Sequence, residues 1–341
     1  MIKIKIITLL ISICFITSIG AVAKIDIKTY NSESILSSKK FSDDFYFVQI
    51  TDTHVMHKLF DRYENTKMRL NSVLENITSF EIKPAFIAIT GDLVEWGGSG
   101  SLGALNYQAL VDCFYESDGQ FYADSSYTIP IYTTPGNHDY VWENNLNNYH
   151  KYVNEIDRYV VNYGDASLFF IDSGANYILE PWEWTLILGA GLFDEDIFWL
   201  EEQLSNCNSK YKIVLMHHPA ISKKDDFGRM EDVIARNRLN FIQLCEDYDV
   251  ELVLTGHTHS SRIYDSEENM YNDLPLNCND YSTLFVQTDD CKQGIHFRNI
   301  SITQDGIILE ATKELEYNPT IKPRSRTFQI LNIFLDTLKK I

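Results

Sequence analysis

Residues 129–139 read Ile-Pro-Ile-Tyr-Thr-Thr-Pro-Gly-Asn-His-Asp. A short β-rich run ends in turn formers, and three polar side chains follow. The same grammar recurs along the chain. Phe45 to Ile50 runs into Thr51-Asp52-Thr53-His54, and Ala85 to Thr90 into Gly91-Asp92. Lys212 to Met216 runs into His217-His218-Pro219, and Glu251 to Leu254 leads to Gly256-His257-Thr258-His259. Leu168 to Ile171 is a further run of this kind. Each is short, bounded by turn residues and apolar on both faces, the pattern of strands buried inside an α/β sheet. Helical periodicity fills Arg62 to Phe80, Leu102 to Glu116, Asp194 to Leu204 and Glu231 to Asp247. Near the end, His296 to Ile302 and Ile307 to Thr312 bracket Gln304-Asp305-Gly306, a hairpin signal. The pattern predicts one α/β domain over residues 42–315, closed by antiparallel strands, and a helical tail over 316–341 with Thr327 to Ile341 amphipathic.

Taken singly, these strand-end motifs say little. Asp-x-His arises often by chance, Gly-Asp is an ordinary turn, and Asn-His-Asp can cap a helix. Together they place Asp, Asn and His at five strand ends, where open α/β sheets put their ligand sites. Mixed imidazole and carboxylate donors suit Mn, Fe or Zn better than Ca or Mg. No Gly-x-Ser-x-Gly stretch offers a serine nucleophile.

The charge narrows the partners. The chain has 29 Lys and Arg against 48 Asp and Glu, a net charge of −19. So acidic a protein is a poor match for a nucleic acid polymer or an anionic membrane. A small phosphorylated molecule, nucleotide or phospholipid-like, remains open, because metal ions neutralise a site locally. Residues 1–23 join a basic start at Lys3 and Lys5 to the apolar run Ile6 to Ile19 and a small-x-small Ala21-Val22-Ala23, which reads as a cleaved secretory signal or an uncleaved anchor. No later run is long enough to span a bilayer. An exported protein forms disulfides. Of Cys113, Cys207, Cys245, Cys278 and Cys291, the pair Cys278–Cys291 is expected to bond. Asn76 and Asn299 begin glycosylation triplets.

The order D-x-H, G-D, G-N-H-D, H-x-P, G-H-x-H resembles the calcineurin-like metallophosphoesterase superfamily over about residues 45–262. The resemblance implies two mixed β-sheets packed as a sandwich and flanked by helices. It implies a secreted phosphoesterase with two divalent metal ions, in which water on the metals attacks phosphorus. By motif, Asp52, His54 and His259 would hold one ion, Asn137, His217 and His257 the other, and Asp92 would bridge them. His138 would stabilise the transition state or protonate the leaving group, and Asp139 would orient it or else cap a helix. No tyrosine or arginine stands in Leu93-Val94-Glu95-Trp96 after Gly91-Asp92, unlike purple acid phosphatases and protein phosphatases respectively. The sequence is closest in look to phosphodiesterase and acid sphingomyelinase-like members, with Phe198-Trp199-Leu200 similar to a segment in both. The alternatives are a phosphomonoesterase or nucleotidase on the same site, or a non-catalytic binding protein on this fold. His57, Trp96, His218 and Arg229 follow metal motifs closely and are candidate substrate contacts. The apolar stretch Tyr177 to Phe193, with Trp182 and Trp184, is a lid, a surface for a base or acyl chain, or ordinary packing.

Overall fold

The computed structural model describes residues 44–63, 65–116, 129–141, 145–174, 190–230 and 232–316. Residues 1–23, expected to be a secretory signal, most of 177–193 with Trp182 and Trp184, and the tail beyond residue 316 lie outside the described residues. In chain order the strands are β1 (Phe45–Ile50), β2 (Ile87–Thr90), β3 (Ile131–Thr134), β4 (Tyr159–Tyr163), β5 (Ala166–Phe170), β6 (Tyr211–Leu215) and β7 (Leu252–Thr255). Then come β8 (Arg262–Asp265), β9 (Met270–Tyr271), β10 (Leu276–Asn277), β11 (Leu284–Gln287), β12 (His296–Thr303), β13 (Gly306–Leu309) and β14 (Lys313–Glu314). The helices are α1 (Thr66–Ser79), α2 (Ser101–Glu116), α3 (Asn137–Tyr140), α4 (Asn147–Tyr152), α5 (Asp194–Ser205) and α6 (Arg238–Asp247).

The strands form two mixed sheets. The first runs β10-β13-β12-β1-β2-β3 with β14 on β12, and the second runs β4-β5-β6-β7-β11-β8-β9. Strands β1, β2 and β3 are parallel, as are β5, β6, β7 and β11. Alternation along each strand explains why the apolar runs have no polar face. Phe47 of β1, Leu168 of β5, Leu215 of β6 and Leu254 of β7 meet in the core between the sheets. Their neighbours Val48 and Ile50 pack outward under α1 and α2. Phe169, Val214 and Val253 pack outward under α5 and α6. Each parallel strand is therefore covered on both sides, as such sheets require. The sandwich with flanking helices is the predicted architecture.

Some expectations change. Strand β4 and strands β8 to β11 are additional; β4 and β9 lie at or next to a sheet edge, β10 has two residues, and β8 and β11 end in none of the donor motifs that mark β2, β3 and β7. Helix α6 begins only at Arg238, because Asn237 before it has left-handed backbone, φ 58°. No disulfide joins any of the five described cysteines. Cys278 sits in the core between the sheets and Cys291 in the core beneath α1 and α2, so the two thiols face different layers. Burial pushes both thiols above the usual range. Asn299 lies buried on β12 with its amide donating to Glu310 Oε2 at 3.2 Å, which leaves no room for a glycan.

Two polar residues tie the sheets together beneath the strand ends. Gln49 of β1, wholly buried, donates to Thr90 Oγ1 of β2 at 2.9 Å and to the Thr255 carbonyl of β7 at 3.1 Å. Thr288 donates back to Gln49 Oε1 at 2.8 Å. Arg298 of β12 is also fully buried. Its guanidinium donates to Thr288 Oγ1 at 3.0 Å, Ser261 Oγ at 2.7 Å, Thr312 Oγ1 at 2.8 Å and the Glu310 carbonyl at 2.5 Å. It thereby clamps the segment that follows His259. Arg298→Met strips these acceptors of their donor and should destabilise the fold by about 3 kcal/mol, read from denaturant melts; a loss under about 1 kcal/mol would contradict this role.

Candidate metal centre

The loops after β1, β2, β3, β6 and β7 converge at one end of the sandwich. The first two are laced together: Asp52 N–H donates to the Gly91 carbonyl at 3.2 Å, His54 N–H to the Asp92 carbonyl at 2.9 Å, and Val55 N–H to the Leu93 carbonyl at 3.0 Å. The lacing needs unusual backbone. Asp52, His54, Asp92, His257 and His259 all have positive φ, between 41° and 68°. Asp and His tolerate this region better than bulky residues but still at a cost. Such strain persists where surrounding structure holds it, and it gathers at functional sites. Glycines supply the close approaches. A Cβ on Gly91 would strike the His217 ring, on Gly136 the Asp92 carboxylate, and on Gly256 Thr51 and the Asp52 carboxylate.

The structure brings all seven candidate ligands together. Asp92 Oδ2 lies 3.4 Å from His54 Nε2 and 3.3 Å from His217 Nε2. Its Oδ1 accepts the His138 backbone N–H at 2.7 Å. Asp52 Oδ2 accepts from the Thr51 hydroxyl at 2.7 Å and the His257 N–H at 2.9 Å, while Oδ1 faces His259 Nε2 at 3.1 Å. Asn137 Oδ1 and His217 Nε2 are 3.1 Å apart, and the His217 and His257 rings are 5.1 Å apart. Candidate donor sets include Asp52, His54 and His259 in one corner and Asp52, Asp92 and His217 in another, with atoms within 4.8 Å of one another.

These residues fit divalent ions on observations of their own. Asp52 Oδ1 and His54 Nε2 are buried and make no well-formed hydrogen bond, the 3.1 Å approach of His259 Nε2 to Asp52 Oδ1 included. Leaving such atoms unpaired costs about 1–3 kcal/mol each. The imidazoles are also turned as ligands need. His217 Nδ1 is 2.8 Å from the Thr90 carbonyl and His54 Nδ1 is 2.8 Å from Glu95 Oε2. A carbonyl or carboxylate can only accept, so Nδ1 carries the proton and Nε2 faces the cluster.

Electrostatics agree. Burial alone would raise the pKa of Asp52 and Asp92, but the imidazoles around them, His217 foremost, hold both well below the usual carboxylate range. Burial would depress His54 and His217; the Asp52 and Glu95 carboxylates lift His54 to about 9, and Asp92 and Asp52 lift His217 to about 10. Burial and the His217 charge push His257 down to about 4.

Other candidates settle differently. His138 donates Nδ1–H to the Glu95 carbonyl at 2.8 Å, and its side chain is 26% exposed, so Nε2 is the atom free to exchange a proton with a ligand. Asp139 does not hold that ring. Its carboxylate accepts from Gly136 N–H at 2.8 Å, Leu93 N–H at 3.2 Å and the Tyr107 hydroxyl at 2.7 Å. It caps α3 and fastens the β2 loop to it, the second of the two roles expected for it, and not the orienting one. Burial and the Asp92 charge raise its pKa to about 6. His218 is buried beside His257, with Nδ1 2.8 Å from Ser173 Oγ. The His57 ring tilts against Phe60, and the Trp96 ring lies 5.4 Å from the Arg62 guanidinium. Arg229 closes an exposed turn by pairing with Asp225. Glu95 and Asp290 also touch the cluster, although no motif in the sequence marks them. Glu95 meets His54, and Asp290 Oδ2 lies 3.6 Å from His259 Nδ1. For Glu95 the available signal was an acid in a wholly apolar setting, Leu93-Val94-Glu95-Trp96.

The calcineurin-like phosphoesterase family profile matches residues 45–261. Among curated relatives, "Probable glycerophosphodiester phosphodiesterase GpdQ" of Arcobacter nitrofigilis is 27% identical over 220 residues, covering 62% of this chain and 71% of that protein. "Probable cyclic nucleotide phosphodiesterase" of Vesicomyosocius okutanii subsp. Calyptogena okutanii is 23% identical over 228 residues, covering 64% of this chain and 80% of that one. A solved structure described as "Putative 5'-Nucleotidase from Staphylococcus aureus in complex with alpha-ketoglutarate" superposes with a TM-score of 0.50 at 16% identity. It covers 86% of this chain, and this chain spans 58% of it; the likeness shows the fold alone.

Metal uptake should release protons. A folded pKa of about 9 or 10 means that His54 and His217 hold a second proton at neutral pH in the metal-free protein. A ligating imidazole must give up the proton on Nε2. Titrating Mn2+ into chelator-treated protein in weak buffer at pH 7.5 should acidify the solution, and affinity should rise with pH. Binding without acidification would contradict the protonation described. Gly256→Ala, which pushes a methyl group into Thr51 and Asp52, should weaken Mn2+ binding at least about tenfold; unchanged binding would show that the loops have slack. With the match over most of the folded domain, the chain belongs to the calcineurin-like phosphoesterase family.

Proposed function

We propose that the protein is an exported, two-metal hydrolase of a small phosphodiester. The observation that carries the two-metal reading is the position of Asp92 Oδ2, 3.4 Å from one candidate imidazole and 3.3 Å from another on the opposite sheet. Asp52, His54, His259 and Asp92 would hold one ion, and Asp92, Asn137, His217 and His257 the other. Donors of this kind suit Mn, Fe or Zn. When bound, the ions supply Lewis acidity, which offsets charge on the phosphoryl oxygens and makes water a better nucleophile near neutral pH.

The chain's own residues do the rest. With Nδ1 committed to the Glu95 carbonyl, His138 passes a proton from Nε2 to the leaving oxygen. Asp139 fixes the turn that carries Asn137 and His138. The preference for a diester rests on relatives named as a glycerophosphodiester phosphodiesterase and a cyclic nucleotide phosphodiesterase. Export rests on residues 1–23. No helix among the described residues is long and apolar enough to cross a membrane.

Hydrolysis of bis(p-nitrophenyl) phosphate and p-nitrophenyl phosphate by chelator-treated and Mn2+-, Zn2+- or Fe2+-loaded protein tests the reading. Turnover should require metal, with kcat/KM higher for the diester. Asp92→Ala should lower it by at least about 10³-fold. His138→Ala should lower kcat by about 10²- to 10⁴-fold with metal content unchanged. Turnover indifferent to chelator would sink the metal mechanism. Faster monoester hydrolysis would turn the assignment to a phosphatase or nucleotidase. Metal binding without turnover of any phosphoester would favour a binding protein.

A further inference from the structure

Glu95 stands three residues after Asp92, and its carboxylate is completely buried. Its Oε2 accepts the Nδ1–H of His54 at 2.8 Å. The same oxygen lies 3.7 Å from His138 Nδ1 and 4.0 Å from Lys292 Nζ. Its Oε1 accepts from the Tyr63 hydroxyl at 3.0 Å and pairs with the Arg62 guanidinium. Its main-chain carbonyl accepts Nδ1–H of His138 at 2.8 Å, and its N–H donates to the Val55 carbonyl at 3.4 Å. The two rings it touches stand edge to face, 4.5 Å between centroids.

We infer that Glu95 is a positioning residue that fixes His54 through its carboxylate and His138 through its carbonyl, so that the ligand and the proton donor share one anchor. The inference rests on the proposed two-metal function and adds a residue to it. A carboxylate on the far nitrogen of a ligating imidazole holds its tautomer and rotation and makes the near nitrogen more basic. That hold is useful only if the carboxylate is itself fixed. Here Tyr63 and Arg62 grip one oxygen from the segment after His54, and Lys292 approaches the other from the loop between β11 and β12. A buried carboxylate left alone would be costly, and this cationic and hydroxylic collar offsets the cost. Finally, the carbonyl that sets His138 belongs to the same residue. Any rotation of residue 95 therefore moves the acid–base ring with the ligand ring.

The test uses the full chain, treated with chelator, with Mn2+ titrated against a fluorescent competitor. Glu95→Gln keeps the shape and loses the charge; it should weaken binding of one ion about tenfold. Glu95→Ala should weaken it about 100-fold and lower kcat at saturating Mn2+ with KM for the diester within about twofold, because the carbonyl that His138 donates to remains but residue 95 loses the side-chain grip that fixes it. Glu95→Asp should recover part of the affinity. The melting temperature of the metal-free proteins separates these effects from unfolding. Should Glu95→Ala fail to fold, Arg62→Met with Tyr63→Phe keeps the carboxylate and removes its outer grip; binding should then fall a few-fold. Wild-type binding that Glu95→Gln and the Arg62/Tyr63 pair both leave unchanged overturns the inference alone. Wild-type protein that binds no ion overturns the proposed function, and the inference with it.

Discussion

The approach of one carboxylate oxygen to two imidazoles organises this molecule. Asp92 Oδ2 sits within 3.4 Å of His54 Nε2 from the β1 loop and 3.3 Å of His217 Nε2 from the β6 loop. Those strands belong to different sheets. The contact therefore depends on how the sandwich closes at this end. Gln49 and Thr288 set that closure from below with hydrogen bonds across the sheets. Gly91, Gly136 and Gly256 let the loops come close enough. The left-handed backbone at Asp52, His54, Asp92, His257 and His259 is what turns the donors inward. At about 1–3 kcal/mol per strained residue, the core must supply that stability. It does so with sheets whose parallel strands are buried on both faces.

Charge is handled at two scales. The whole chain is strongly acidic, yet the centre is a balanced set of carboxylates and imidazoles. Metal-free, the balance is kept by protons: carboxylates hold His54 and His217 protonated far above the ordinary histidine range. Divalent ions would take the place of those protons, which suits a site that must survive without its ions and then load them. His257, pushed down to about 4, is already neutral.

What could be read from sequence was local. Five strand-end motifs identify donor types, and their order identifies the family. Buried strands announce themselves because both faces are apolar, as in Phe47 with Val48 and Leu215 with Val214. What could not be read was tertiary. Asp139 and Glu95 are both acids near His138, and only packing decides that Asp139 caps α3 while Glu95 supplies the carbonyl that holds the ring. Asp290 reaches His259 from 31 residues away in sequence. Cys278 and Cys291 are close along the chain but separated by a β-sheet layer. Strands β8 and β11 are as short as β2 and β7, but none of the five donor motifs marks their ends.

Anomalous diffraction from crystals of the Mn2+- or Zn2+-loaded protein bears most directly on the central claim. Two peaks per chain are expected about 3.5–4 Å apart, one on each side of the Asp92 carboxylate, the first against Asp52, His54 and His259 and the second against Asn137, His217 and His257. A single peak away from Asp92, or none at full loading, would contradict it.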